Sequence, residues 1–153
     1  MATQSNDFHS YMKQLEDLLD LYLVKKAPAL PKNAKETIVK IAPWVTVIIM
    51  ILLLPVILGA LGLAAVFAPF GFIGGVQMGV LGVVSLVLSI ASLVLEAMAI
   101  PGLFNKTAQG WRYVYYSTLL TAVDSLIHFN LAGLIIGSLL SLYILFQVKE
   151  YYR

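Results

Sequence analysis

The chain has 153 residues, 60% of them hydrophobic and only 12% charged, with 10 Lys+Arg, 8 Asp+Glu and no cysteine. Soluble domains carry about a quarter charged residues, whereas residues 41–95 hold no Lys, Arg, Asp, Glu or His. A water-facing surface cannot be built from such a run, so the composition excludes a soluble enzyme, a disordered tail and a disulfide scaffold, and points to the lipid bilayer.

The expected fold class is all-α: an integral membrane protein with four transmembrane helices in an antiparallel bundle, preceded by an N-terminal amphipathic cytoplasmic helix. Residues 1–42 form the cytoplasmic part and residues 43–153 the membrane domain. Ser5, Asn6 and Asp7 are N-cap candidates for a first helix reaching about Val24. Phe8, Tyr11, Met12, Leu15, Leu18, Leu19 and Tyr22 follow the spacing of one apolar face. The polar face sets Asp7, Glu16, Asp17 and Asp20 against Lys13 alone, a poor match to anionic lipid. Packing against a second copy, a membrane protein partner or the cytoplasmic ends of the spans is the better expectation. Pro28 and Pro31 break this helix. Residues 33–41 then read as a short juxtamembrane helix, with Pro43 in the first turn of a span and Trp44 at the interface. The chain starts with a polar helix and its first apolar run is long enough to span, so no cleavable signal peptide is expected.

Four apolar segments follow, at about 44–66, 76–104, 111–129 and 131–148. Pro55 should kink the first. Residues 67–75, rich in Gly, Pro and Phe, read as an outer loop, and the second span is expected to tilt or to bend at Pro101-Gly102. The third and fourth are joined almost directly at Asn130. All lysines and arginines fall before the first segment, flank the gap between the second and third (Lys106, Arg112), or follow the fourth (Lys149, Arg153). Because basic residues collect on the cytoplasmic side, this places both termini in the cytoplasm. The same lysines suit lipid headgroups better than nucleic acid, for which a continuous basic stripe is missing.

Few polar residues enter the spans, and these are the candidates for function. Ser85, Ser89, Ser92 and Glu96 recur along one face of the second span, and Ser117, Thr121, Asp124 and His128 along one face of the third. Facing stripes would satisfy one another. From the helical rise, Glu96 lies about 14 Å above the cytoplasmic edge, Asp124 about 21 Å and His128 about 27 Å. An intramembrane site of Glu96, Asp124, His128, Ser92 and Thr121 can be read as a proton or ion relay. It can equally be read as interhelical hydrogen bonding, with Asp124 and His128 paired across one turn. A metal site is not expected from one histidine and two separated acids, nor is any cofactor: no span holds a lysine for retinal or a second histidine for haem. No hydrolase or phosphate-loop motif is present, and the chain is not expected to be an enzyme. Gly133, Gly137 and Ser141 form a small-residue stripe suited to helix packing, within the chain or in a homo-oligomer. No internal repeat of the kind that marks many transporters relates the two pairs of spans.

Gly102-Leu103-Phe104, Gly110-Trp111-Arg112, the Gly-rich last span ending in residues 143–146 (YILF) and the closing YYR of residues 151–153 give the last 50 or so residues a family likeness. They resemble small uncharacterised bacterial four-span integral membrane proteins. The resemblance implies a bacterial inner membrane and carries no functional residue. The leading expectation is a non-enzymatic accessory, scaffold or self-associating membrane protein, and the alternative is a small proton-linked transporter or channel using Glu96 and Asp124.

Overall fold

The computed structural model describes residues 3–71 and 76–153, and every regular element among them is helical. Helix α1 (Thr3–Asp20) continues into a π-helical turn, Leu21–Lys26, that ends where Ala27 turns extended ahead of Pro28. Ser5, Asn6 and Asp7 therefore lie inside the helix and do not cap it. Helix α2 (Lys32–Gly71) unites the juxtamembrane segment and the first span in 40 residues. The two were expected to be separate, but Pro43 and Pro55 do not divide them. Each proline costs the helix one backbone bond, to the Val39 and Ile51 carbonyls respectively, and α2 runs on through both; Thr46 adds a bond from its hydroxyl to the Ala42 carbonyl at 2.9 Å. The expected loop at 67–75 is likewise helical as far as Gly71, and its residues 72–75 lie outside the described residues.

Helix α3 (Val76–Phe104) runs through Pro101. Helix α4 (Ala108–Ile127) is capped by Thr107, whose hydroxyl accepts the Gly110 amide at 3.3 Å. Asn130 opens the last helical segment in the same way, accepting the Gly133 amide at 2.9 Å. That segment is π-helical over Gly133–Leu139 and continues as α5 (Leu140–Gln147), followed by a 3₁₀ turn, Lys149–Tyr151. The closest packing is α3 along α4, then α2 against α3, with the π-helical segment and α5 on α4.

The α3–α4 turn is held by a backbone contact. A Cβ on Gly110 would fall on the carbonyl carbon of Gly102, and one on Gly102 would come within 2.5 Å of the Gly110 Cα. Lys106 takes a left-handed φ of 54° to close the turn, and the Thr107 amide bonds the Gly102 carbonyl at 2.8 Å.

The core lies at the end of the molecule where the charges collect. Val39 of α2, Ala99 and Leu103 of α3, Trp111 and Tyr115 of α4, and Leu142 and Phe146 of α5 are all buried there. Trp111, 2% exposed, stacks on Tyr115 and meets Phe146 edge-on at 5.3 Å. Its indole N–H donates to the Leu145 carbonyl at 2.8 Å, where a helix end leaves carbonyls without helical partners. Burying one such ring contributes about 2 kcal/mol.

Gln147, equally buried, clamps the N-terminal segment to this core. Its amide donates to the Leu23 carbonyl at 2.8 Å and accepts from the Leu30 amide at 3.3 Å. The Tyr143 hydroxyl donates to the Pro28 carbonyl. Two ion pairs close the same end, Lys149 with Glu16 at 2.7 Å and Lys35 with Glu150 at 3.1 Å.

Two stretches, Lys32–Leu63 and Val80–Phe104, are long and apolar enough to cross a membrane, and their most apolar windows are almost entirely unburied. Gly133–Gln147 is apolar but shorter.

Gly110→Ala should destabilise the protein by about 1–3 kcal/mol, the usual cost of overpacking, read as a lower melting temperature in detergent. Gly137→Ala, where nothing lies within 4 Å of the added carbon, should not. Burial also pushes the Tyr152 hydroxyl above its usual pKa of 10.0. The neutral ring is thus favoured in the fold, and its contribution is complete below pH 10 and lost as pH rises through the folded value. Alkaline titration of Tyr152→Phe against the parent chain should show a smaller loss of stability.

Candidate functional site

The two polar stripes face each other. Both lie on helices with regular α-winding, so residues three and four apart stay on one side, and the antiparallel packing of α3 on α4 brings those sides together. Ser117 of α4, 2% exposed, donates its hydroxyl to Glu96 Oε1 of α3 at 2.9 Å. Two turns along α4, and three along α3, the roles reverse, and Ser85 of α3 donates to Asp124 Oδ1 of α4 at 2.6 Å. Each helix supplies one acid and the hydroxyl that meets the other helix's acid.

Between these two bonds, α3 and α4 line a space that α2 borders on a third side. The result is a cavity of about 270 Å³. Ser89, Ser92, Glu96, Thr121 and Asp124 form its polar wall, and Leu53 and Ile57 of α2 lie among its apolar lining. Thr121 directs its hydroxyl to the Ser117 carbonyl at 3.1 Å, so it offers the cavity an acceptor. Glu96 and Asp124 thus border one space without touching. His128 is outside the lining, at the C-terminal cap of α4. Its Nδ1 lies 3.6 Å from Asp124 Oδ1, one turn away, and Ser85 Oγ is 3.3 Å from its Nε2. Ser85, Asp124 and His128 form a cluster at the end of the cavity away from the buried core, while Glu96 and Ser117 form the end nearer to it.

What this arrangement can do is hold water or a small solute against two carboxyl groups inside an apolar wall. Each carboxyl has one oxygen engaged by serine, and its second oxygen has no protein partner among the described residues. Among those residues no three His, Cys, Asp or Glu side chains gather closely enough to hold a metal ion.

The small residues of the last helix are arranged differently from their sequence spacing. Gly133 packs under the Asn130 side chain, Gly137 has open space before it, and Ser141 is exposed. Ser138, fully buried, takes the inward position. The spacing of four residues assumes 3.6 residues per turn, and the π-helical winding over Gly133–Leu139 turns more slowly. The Ser138 and Tyr115 hydroxyls are buried without a hydrogen-bond partner. Two organising residues, Trp111 and Gln147, carried no expectation of a structural role. Gln147 had a usable signal, an amide in an apolar segment whose burial demands partners.

Ser117→Ala should leave Glu96 without its buried partner and cost about 1–3 kcal/mol, seen as a fall in melting temperature. Ser89→Ala, which lines the cavity without a side-chain bond to either acid, should cost less. Equal losses from the two would remove the assigned role of the Ser117–Glu96 bond.

No protein-family profile matches the chain, and comparison with curated proteins and with solved structures finds none that is significantly similar to it.

Proposed function

We propose that the chain is a non-enzymatic integral membrane protein of the bacterial inner membrane, an accessory or scaffold subunit with four spans and both termini in the cytoplasm. The observation that carries this reading is where the packing lies. The buried core, the Gln147 clamp and both Lys–Glu pairs sit together at the charged end, while the most apolar parts of α2 and α3 are bare. A soluble protein would bury those stretches, and lipid covers them at no cost. A rigid end built from the N-terminal segment and the helix ends is what a docking or scaffolding subunit presents to the cytoplasm. The likeness of the last 50 or so residues to small bacterial four-span proteins agrees with this placement. The hydroxyl bonds to Glu96 and Asp124 support a structural role for both acids.

The cavity favours a second reading, a small proton-linked transporter or channel. Two carboxyl groups on one polar wall at intramembrane depth are the type of residue that marks proton and ion paths.

One experiment separates the two. In proteoliposomes with an imposed pH gradient, the scaffold reading expects no proton-coupled flux from the wild-type chain, and Glu96→Gln and Asp124→Asn to change melting temperature alone. A pH-dependent flux abolished by Glu96→Gln would replace it with the transporter reading.

A further inference from the structure

Helix α1 has three sides, and only one of them meets the bundle. Met12, Glu16, Leu19 and Leu23 are partly buried, at the spacing of a single docking face. Ser10, Lys13, Gln14 and Asp17 form an exposed polar flank. Phe8, Tyr11, Leu15 and Leu18 form an exposed apolar flank, turned about 110° from the docking face at 3.6 residues per turn. Tyr11 is 68% exposed and Phe8 64%, a large aromatic surface to leave in water.

Two contacts fix how α1 lies. Glu16 meets Lys149, whose ammonium sits 5.0 Å over the Trp111 ring and 5.4 Å over Phe146. Leu23, seven residues further along, meets Gln147. About 10 Å of α1 thus spans nearly one level of α5, so the helix crosses the bundle axis instead of following it. That level is the aromatic one. Gly110 touches Gly102 beside it, and the exposed Trp44 and Phe104 rings meet edge-on at 5.3 Å nearby, the residue types that gather at a bilayer interface.

The flanks are also oriented. Asp17 and Asp20 border a cleft with Lys35, Lys149 and Glu150, so the polar flank is turned toward the charged end. The apolar flank, on the other side of the docking face, is turned away from that cleft.

We propose that α1 lies in the plane of the cytoplasmic membrane interface, with Phe8, Tyr11, Leu15 and Leu18 set into the lipid at the headgroup–acyl boundary. This rests on the membrane reading above. Most of the acidic character of α1 is turned elsewhere, because Glu16 is paired with Lys149 and Asp17 and Asp20 border the cleft that holds Lys35 and Lys149; Asp7, at the outer end of the helix, is the one acid beside the apolar flank. Even with Tyr22 of the following turn, the five exposed side chains of this flank fall short of the roughly 800 Å² per partner that a stable protein interface buries, so lipid, not a second copy, is the occupant.

The chain has no cysteine, so single-cysteine nitroxide labels can be placed without background. In vesicles of phosphatidylcholine and phosphatidylglycerol, labels at Tyr11→Cys, Leu15→Cys and Leu18→Cys should collide with oxygen in preference to a water-soluble nickel chelate. Their ratio should be several-fold higher than for Ser10→Cys and Gln14→Cys, and closer to that of Ile51→Cys on α2. Equal water exposure on both flanks of α1, with Ile51→Cys still in lipid, would overturn the proposal alone. Water exposure at Ile51→Cys too would overturn the membrane reading and this proposal with it. Spectral broadening at Leu15→Cys that is relieved by diluting with unlabelled protein would also overturn it, by assigning the flank to a second copy.

Discussion

The backbone contact between Gly102 and Gly110 determines how α4 lies on α3, and the polar site follows from it. Six residues back along α3 from Gly102 stands Glu96, and seven residues up α4 from Gly110 stands Ser117. At the common rise of 1.5 Å both are about 10 Å above the contact, and they bond at 2.9 Å. Two turns further along α4, and three along α3, Ser85 meets Asp124. A side chain at either glycine would push the helices apart at their base. Every hydroxyl–carboxyl distance above would then lengthen, so the site is built from its lower end.

Much of this register is legible in the sequence because α3 and α4 are regular helices. Where winding is regular, a spacing of i, i+4, i+7 and i+11 translates directly into a face, and the two polar faces could be expected to seek each other. The same arithmetic fails over Gly133–Leu139, where a π-helical turn changes the angle per residue and moves Ser138 inward in place of Gly137. It fails again in α2, where Pro and Gly suggest boundaries through which the helix runs unbroken as far as Gly71. Gln147 and Trp111 were hard to assign for another reason. Their partners are the carbonyls of Leu23 and Leu145 and the amide of Leu30. Backbone groups far away in sequence leave no trace in composition or periodicity.

The position of the core gives the two ends of the molecule different physics. At the charged end, aromatic stacking, a buried amide and two ion pairs concentrate specific interactions on a few residues. Toward the other end, van der Waals packing and a few serine–carboxyl bonds hold the helices. Hydrogen bonds between helices in an apolar medium contribute about 1 kcal/mol each, so the polar stripe is a modest fastener, and the cavity lies between its two serine–carboxyl bonds.

The helices also differ in length, and this bears on the membrane itself. Ser85 reaches Asp124 only three residues before α4 ends, while nine residues of α3, from Val76 to Val84, lie beyond it, so α3 extends about 9 Å past its partner. A bilayer around this protein would therefore meet a tall hydrophobic wall on the α2–α3 side and a much lower one along α4 and α5. Lipids cannot match both at rest. They must thin beside the short pair, or the whole molecule must lean. Either response draws headgroups and water down toward Asp124 and His128, so the polar cluster at that end of the cavity would be hydrated by a dent in the membrane and not by a channel through the protein.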